Sequence, residues 1–222
     1  MKRFISLAVL AFLGAGILVT PANASEGNPN PGVFPPHSHP YGVSYREWGA
    51  DWFEWAFEAP VATNPEAHPN KCGPGESPRV WFLAVSVGGY ETAHCTIPAH
   101  KGIAFVAGGG FCSPAVGDPF TTYQGLRRCA VDFVHSSVFS VRASVDNRPI
   151  RHLARYFIVS RLIHLRLPDN NFFGDPAGTY PLVVAEYFFV LHPLSLGRHT
   201  IKYSDKLGQS PAAITYHVTV TR

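Results

Sequence analysis

A single glutamate interrupts an apolar stretch in the C-terminal half of the chain. Glu186 is the only charged residue among residues 182–190. A charge on a covered face of a sheet must be paired, or its pKa must shift. One hypothesis makes Glu186 a general acid or base that lines a cavity between sheets. A structural ion pair or an exposed edge position is the favoured interpretation. The candidate partners on another strand are Arg161, His164 and Arg166.

Four carboxylates recur along one face of a helix predicted over residues 45–58. They follow one another at intervals of three or four residues, which places them on one side of a helix: Glu47, Asp51, Glu54 and Glu58. They could bind a cation or supply an acid and a base. A solvated helix face is the favoured interpretation, because a shifted carboxylate pKa requires burial.

The opposite arc of the same helix carries Trp48, Trp52 and Trp55. Three indole rings in a stripe could form a platform for a sugar ring or another flat ligand. Packing in the core is the favoured interpretation, because the apolar arc is wide and aromatic side chains bury large areas.

Histidine is frequent, with 11 residues in the chain. His37 and His39 form an H-x-H pair that could bind copper, nickel or zinc. The pair lies on a Pro-rich segment without an obvious third ligand, which favours weak affinity over a dedicated site. We therefore expect no resident cofactor. The sequence also lacks the G-x-S-x-G, H-E-x-x-H and nucleotide-binding patterns, which lowers the expectation of an enzyme.

The first 24 residues have the layout of a secretory signal peptide. Lys2 and Arg3 precede an apolar run over residues 4–19, and Ala22 and Ala24 stand at positions −3 and −1 of a cleavage site. The sequence therefore predicts a secreted or periplasmic protein. Beyond this segment, no apolar run reaches the length needed to span a bilayer.

The remaining chain is close to neutral. Removal of Lys2 and Arg3 lowers the formal net charge of +3 by two. Such a balance gives no electrostatic reason to expect nucleic acid as a partner.

Four cysteines form an even set for an oxidising compartment, which favours two disulfides. They are Cys72, Cys95, Cys112 and Cys129. Three pairings are possible, and shorter loops favour Cys72–Cys95 with Cys112–Cys129. A zinc site is the less favoured alternative, because the chain has no Cys-x-x-Cys pair.

The pattern beyond the signal predicts a flexible lead-in over residues 25–44 and a single disulfide-stabilised domain over residues 45–222. Residues 123–135 fit a second short helix, and residues 108–122 fit a loop. Alternating or apolar runs predict strands over residues 79–87, 92–97, 102–107, 138–145, 156–167, 182–191, 199–204 and 214–221. The fold class is therefore mainly β, an antiparallel β-sandwich of immunoglobulin-like or jelly-roll-like type with two short helices.

Several short motifs support a resemblance to a known family. They are Y-x-E-W at residues 45–48, VWFLA at 80–84, CTIPA at 95–99, P-A-G-x-Y at 176–180 and P-L-x-x-G-x-H-T-I at 193–201. Together they resemble a family of secreted, mostly uncharacterised bacterial proteins. The resemblance implies a secreted β-rich fold, and it implies no reaction and no catalytic residues.

Three functions are compatible with these observations. The first is an extracytoplasmic, non-enzymatic β-sandwich protein that binds a small molecule, a glycan or a protein of the cell envelope. The second is a secreted hydrolase or lyase that acts on a glycan or ester through Glu186 or the helix carboxylates. The third is a metal-binding protein that uses His37 and His39. A deep pocket with buried polar groups of strongly shifted pKa would count against the first function.

Overall fold

The computed structural model describes residues 28–30, 32–68, 72, 77–86, 88–208 and 210–222. The predicted signal peptide over residues 1–24 lies outside the described residues and stays a prediction. In the part of the chain that the structure describes, no helix has both the length and the apolar character needed to cross a membrane.

Two α-helices, three short 3-10 helices and ten strands make up the regular structure of the described residues. The α-helices are α1 (Tyr45–Phe57) and α2 (Tyr123–Ser137). The strands are β1 (Val80–Phe82), β2 (Gly89–Pro98), β3 (Gly102–Cys112), β4 (Val138–Val145), β5 (Arg148–Pro149), β6 (Phe157–Val159), β7 (Ile163–Leu167), β8 (Gly178–Leu191), β9 (Gly197–Leu207) and β10 (Ser210–Thr221).

The strands form two five-stranded sheets. The first has the order β1-β3-β8-β6, with β7 also paired to β8, and the second has the order β2-β10-β9-β4-β5. Each sheet contains one parallel pairing, β1 with β3 and β2 with β10, and the other pairings are antiparallel. The predicted mainly β sandwich with two helices is therefore confirmed, with mixed sheets in place of purely antiparallel ones.

Strand β8 is covered on both faces, as its nearly continuous apolar sequence predicts. On one face, Val183 and Ala185 pack with α2. On the other face, Val184 and Phe188 belong to the main core, which α1 and the second sheet complete. Helix α1 begins at a capping box, because the Ser44 hydroxyl accepts from the backbone N–H of Glu47 while the Glu47 carboxylate accepts from the backbone N–H of Ser44.

Several predicted strand boundaries differ from the structure, among them residues 79–87, of which only Val80–Phe82 form a strand. Two further differences have identifiable reasons. Strand β3 continues through residues 108–112, which were predicted as loop, because a register shift between Val106 and Gly109 lets the glycine run pair with β8. The single strand predicted over residues 156–167 is two strands, β6 and β7. Between them the Ser160 hydroxyl accepts a hydrogen bond from the backbone N–H of Val184 (3.1 Å) and so replaces a backbone acceptor.

The described part of the predicted lead-in makes defined contacts with the domain. Asn30 is buried, its side-chain amide donates to the carbonyl oxygen of Arg151 (2.8 Å), and its side-chain oxygen accepts from the backbone N–H of Arg151 (2.7 Å). Val33 pairs with Leu191 of β8 in an isolated bridge. The flexibility of residues 25–44 stays a prediction.

Both expected disulfides are present. Cys72 is bonded to Cys95 of β2, and Cys112 at the end of β3 is bonded to Cys129 of α2. This is the pairing that short loops favoured. Since the sulfur atoms are joined in disulfides, these cysteines are not available as thiolate ligands for zinc.

Candidate functional site

A cavity of about 560 Å³ lies between the two sheets and beside α1. We call it the inter-sheet cavity. Helix α1 contributes aromatic side chains to its wall, namely Trp52, Phe53 and Phe57. Strand β3 contributes residues 106–112, β8 contributes Val184 and Glu186, and the second sheet contributes residues of β9 and β10.

Glu186 reaches this cavity from the central strand β8. The residue is only 3% exposed, and no described residue makes a hydrogen bond to its side chain, so the buried Oε1 atom has no partner there. Burial raises the pKa of the Glu186 carboxyl well above its usual range. Glu186 is also one of the residues that line the inter-sheet cavity.

Two glycines, one on α1 and one on β3, leave the space that the Glu186 side chain occupies. A Cβ atom on Gly49 of α1 would lie 2.6 Å from Oε1 of Glu186, and one on Gly109 of β3 would lie 2.5 Å from its Cβ. Both distances are shorter than van der Waals contact. Any larger residue at either position would therefore displace Glu186.

A second carboxyl, that of Asp205 on β9, lines the same cavity. Burial raises the pKa of Asp205 to about 6. Gly108 faces it, since a Cβ atom on Gly108 would lie 2.8 Å from the Cβ of Asp205. The sequence indicated only a loop at the glycine run, whereas in the structure these glycines make room for two acidic side chains.

The rim of the cavity is apolar and partly exposed. Three apolar side chains line it and are 44%, 39% and 39% exposed: Val116, Phe133 and Leu207. Asp118 also lies there, and its carboxylate accepts from the backbone N–H of Ser113 (2.9 Å). The described lining residues include three carboxyl groups and no lysine, arginine or histidine.

The structure gives Glu186 none of its predicted partners. Arg161 instead binds Asp51 (3.3 Å) and Glu54 (3.0 Å) of α1. Arg166 binds Glu58 (3.0 Å), and His164 is exposed on β7. Arg161 precedes β7 and Arg166 lies in it. The guanidinium groups of both arginines are bound by carboxylates of α1.

The helix carboxylates are therefore only partly a solvated face. Asp51, Glu54 and Glu58 hold α1 to the β7 side of the first sheet through ion pairs. Partial burial raises the pKa of Asp51 although Arg161 opposes the shift. The two pairs of Arg161 are partly exposed, so each stabilises by only about 0–1 kcal/mol. The Arg166 guanidinium is exposed, so water and salt weaken its pair with Glu58.

The three tryptophans lie in or against the core. Trp48 and Trp52 are buried, and their indole N–H groups donate to the carbonyl oxygens of Pro40 and Leu83, each at 2.9 Å. Trp55 is half-buried and packs on Phe82, with ring centroids 5.5 Å apart. They form no exposed platform, and Trp52 alone of the three also lines the inter-sheet cavity.

Neither His37 nor His39 is among the described residues that line the inter-sheet cavity. His37 lines a separate surface cleft of about 360 Å³ together with Arg46 and Tyr123. Among the described residues, the one group of three metal-ligating side chains is Cys112, Asp118 and Cys129, and its sulfurs form a disulfide. The H-x-H metal site stays a prediction.

Sequence reasoning missed a Ser–His–Asp arrangement at the surface. His199 Nδ1 lies 2.8 Å from Asp146 Oδ2, and Nε2 lies 3.4 Å from Ser195 Oγ. Nε2 is also 2.9 Å from the carbonyl oxygen of Ser195, so both ring nitrogens have acceptors. When the ring donates to both of these acceptors it is protonated, and in that form it cannot act as a base toward the serine. The arrangement therefore fixes the loop before β9 to the turn after β4.

Comparisons with known proteins add little. No protein-family model matches the chain, and no curated protein matches its sequence. A solved structure described as PbICP-C in complex with falcipain-2 is 12% identical, with a TM-score of 0.23, over 64% of this chain and 99% of that one. The solution structure of amebosin is 9% identical, with a TM-score of 0.21, over 60% of this chain and 100% of that one. At these TM-scores neither likeness informs the function.

The close contact between Gly49 of α1 and Glu186 predicts that alanine at position 49 will have an unusual effect on stability. Gly→Ala inside a helix normally stabilises by about 0.5–1 kcal/mol. We expect G49A to destabilise the protein by about 1–3 kcal/mol, because the new methyl group overlaps Glu186 and Ile158. Chemical denaturation measures this free energy. G32A is the control, since a Cβ on Gly32 meets nothing; a G49A protein more stable than the wild type contradicts the geometry.

The contacts of His199 predict a pH-dependent contribution to stability. Although partial burial acts to lower the pKa of His199, hydrogen bonds to Asp146 and Ser195 raise it above its usual 6.5. When folding raises the pKa of a histidine, its protonation stabilises the folded state. This contribution is complete below the pKa of the unfolded state and is lost as the pH rises through the pKa of the folded state. We expect H199Q to lower the free energy of unfolding more at about pH 5.5 than at about pH 8.5.

The exposed His164 provides the matched control. Urea denaturation of H164Q should give nearly the wild-type free energy of unfolding at both pH values. An equal loss of stability for H199Q at both pH values would show that the charge on His199 does not contribute.

Proposed function

We propose that this protein is an extracytoplasmic, non-enzymatic binding protein that holds a small, largely apolar ligand in the inter-sheet cavity. The cavity volume of about 560 Å³ lies within the range of roughly 300–1,000 Å³ that is typical of small-molecule sites. Apolar walls with a few polar groups are also typical of such sites, because the walls supply affinity and the polar groups orient the ligand.

The observation that carries the proposal is the side chain of Glu186. A buried carboxyl without a hydrogen-bond partner is costly, and here it lies on the wall of a cavity whose rim is apolar and exposed. A ligand that enters past Val116, Phe133 and Leu207 would supply both the missing partner and the missing apolar contacts.

Two features support an extracytoplasmic location. The predicted signal peptide directs export, and the two disulfides suit an oxidising compartment. We also propose a bacterial origin, which the sequence motifs suggest.

A hydrolase or lyase is the second candidate, because the cavity holds two carboxyls whose pKa values are raised. Such a pair could supply a general acid and a general base, and a buried site of this kind counts against a purely binding role. We rank it second because the wall is mainly apolar. A glycan bound there would leave most of its hydroxyl groups without partners.

The neutral fluorescent probe N-phenyl-1-naphthylamine tests binding. We expect one probe per protein, with fluorescence enhancement on titration, because the inter-sheet cavity excludes water from an apolar body. A212F should weaken binding by about tenfold or more, since Ala212 of β10 lines the cavity and a benzyl group would fill part of it.

T219F is the matched control for this experiment. Thr219 lies on the same strand but on its exposed face, so the probe should bind as in the wild type. Absence of probe binding, or equal loss in both variants, would reject the cavity as the binding site.

An activity screen separates the two candidates. The purified protein, incubated with glycan and ester substrates, should show no turnover. Turnover that E186Q abolishes would instead assign the protein to the hydrolases or lyases, with Glu186 as the acid or base. Turnover that E186Q leaves unchanged would remove Glu186 from any mechanism.

A further inference from the structure

The charges of the inter-sheet cavity restrict which ligand it can hold. Its described lining contains the carboxyls of Asp118, Glu186 and Asp205, and no basic side chain. With a pKa of about 6, Asp205 is mostly ionised at neutral pH. The cavity is therefore negative, and no described side chain of the lining neutralises it.

We propose that the ligand is an organic cation, with a protonated amine at one end of an apolar body and with Glu186 and Asp205 as its counter-ions. This inference rests on the proposed function and names the chemical class of the ligand. Glu186 supports this class of ligand most strongly, because its side chain is almost fully buried on the cavity wall and no described residue makes a hydrogen bond to it.

An ammonium group fits this wall better than other head groups. It has three N–H donors and a full positive charge, so it can donate to the Glu186 carboxyl and stabilise the ionised form of that group. An alcohol has one donor and no charge. A carboxylate ligand would bring a further negative charge beside Asp205 and would be repelled.

The aromatic side chains of α1 provide a second reason for a cation. Trp52, Phe53 and Phe57 contribute to the wall of the same cavity as the carboxyls. Aromatic faces attract organic cations through their negative quadrupole, most strongly where water is excluded. The apolar body of the ligand would then extend toward Phe133 and Leu207 at the rim.

Three probes that share an eight-carbon alkyl chain and differ in their head group test the proposal: octylammonium, 1-octanol and octanoate. Isothermal titration calorimetry on the full mature protein at neutral pH compares their affinities. We expect octylammonium to bind at least about tenfold more tightly than 1-octanol, and octanoate to bind more weakly than both.

Two substitutions assign this preference to the cavity carboxyls. E186Q and D205N, each a neutral isostere, should each reduce the advantage of octylammonium over 1-octanol and leave the affinity for 1-octanol almost unchanged. The matched control is D132N, because Asp132 is an exposed carboxylate on α2 that does not line the cavity. It should leave all three affinities at wild-type values.

The possible failures are distinguishable. If 1-octanol binds as tightly as octylammonium, and A212F weakens both, the cavity binds ligands but the cationic class is wrong. If octylammonium is preferred but D132N reduces the preference as much as E186Q does, general surface charge explains it and the assignment to Glu186 is wrong. If neither N-phenyl-1-naphthylamine nor any of the three octyl probes binds, the proposed function fails together with this inference.

N-phenyl-1-naphthylamine binding by E186Q shows that this variant is folded. Should E186Q not fold, D205N provides the same test.

Discussion

One costly feature constrains the rest of the structure: the carboxyl group of Glu186 is buried in the central strand β8 with no hydrogen-bond partner among the described residues. Burial without a hydrogen bond destabilises by about 1–3 kcal/mol, and a well-packed apolar residue would avoid that cost. The surroundings nevertheless accommodate Glu186, with a glycine on α1 above it and a glycine on β3 beside it. A feature that is unfavourable for folding and is accommodated by two elements is typical of a functional site.

Other interactions hold the walls of the cavity in place. The ion pairs of Arg161 and Arg166 fix α1 to the first sheet, and so position its aromatic side chains. The Cys112–Cys129 disulfide joins the end of β3 to α2, where the exposed rim lies. Among the described residues, Arg161 and Arg166 are bound to carboxylates of α1, and no ion pair joins either of them to Glu186.

Much of the fold follows from sequence patterns, and part of the site does not. The spacing of apolar residues predicted α1 and α2, and the apolar run predicted β8. The short loops between cysteines predicted the pairing of the disulfides. Glu186 was conspicuous because it interrupts an apolar run. Its assumed partners were wrong because the break at Ser160 turns Arg161 toward α1, and no local pattern reports that break. Asp205 was missed because it stands among polar residues, and only the packing of β9 against the glycines of β3 buries it.

Ligand binding as proposed requires Glu186 to be buried, without a partner among the described residues, and open to a ligand from the cavity. The most direct test of this requirement is a ¹³C NMR titration of the Glu186 carboxyl, assigned with E186Q, with and without octylammonium. The account predicts a pKa well above the usual 4.5 in the free protein and a lower pKa when the ammonium ion is bound. A carboxyl that titrates near its usual value, or whose pKa does not respond to the ligand, would contradict it.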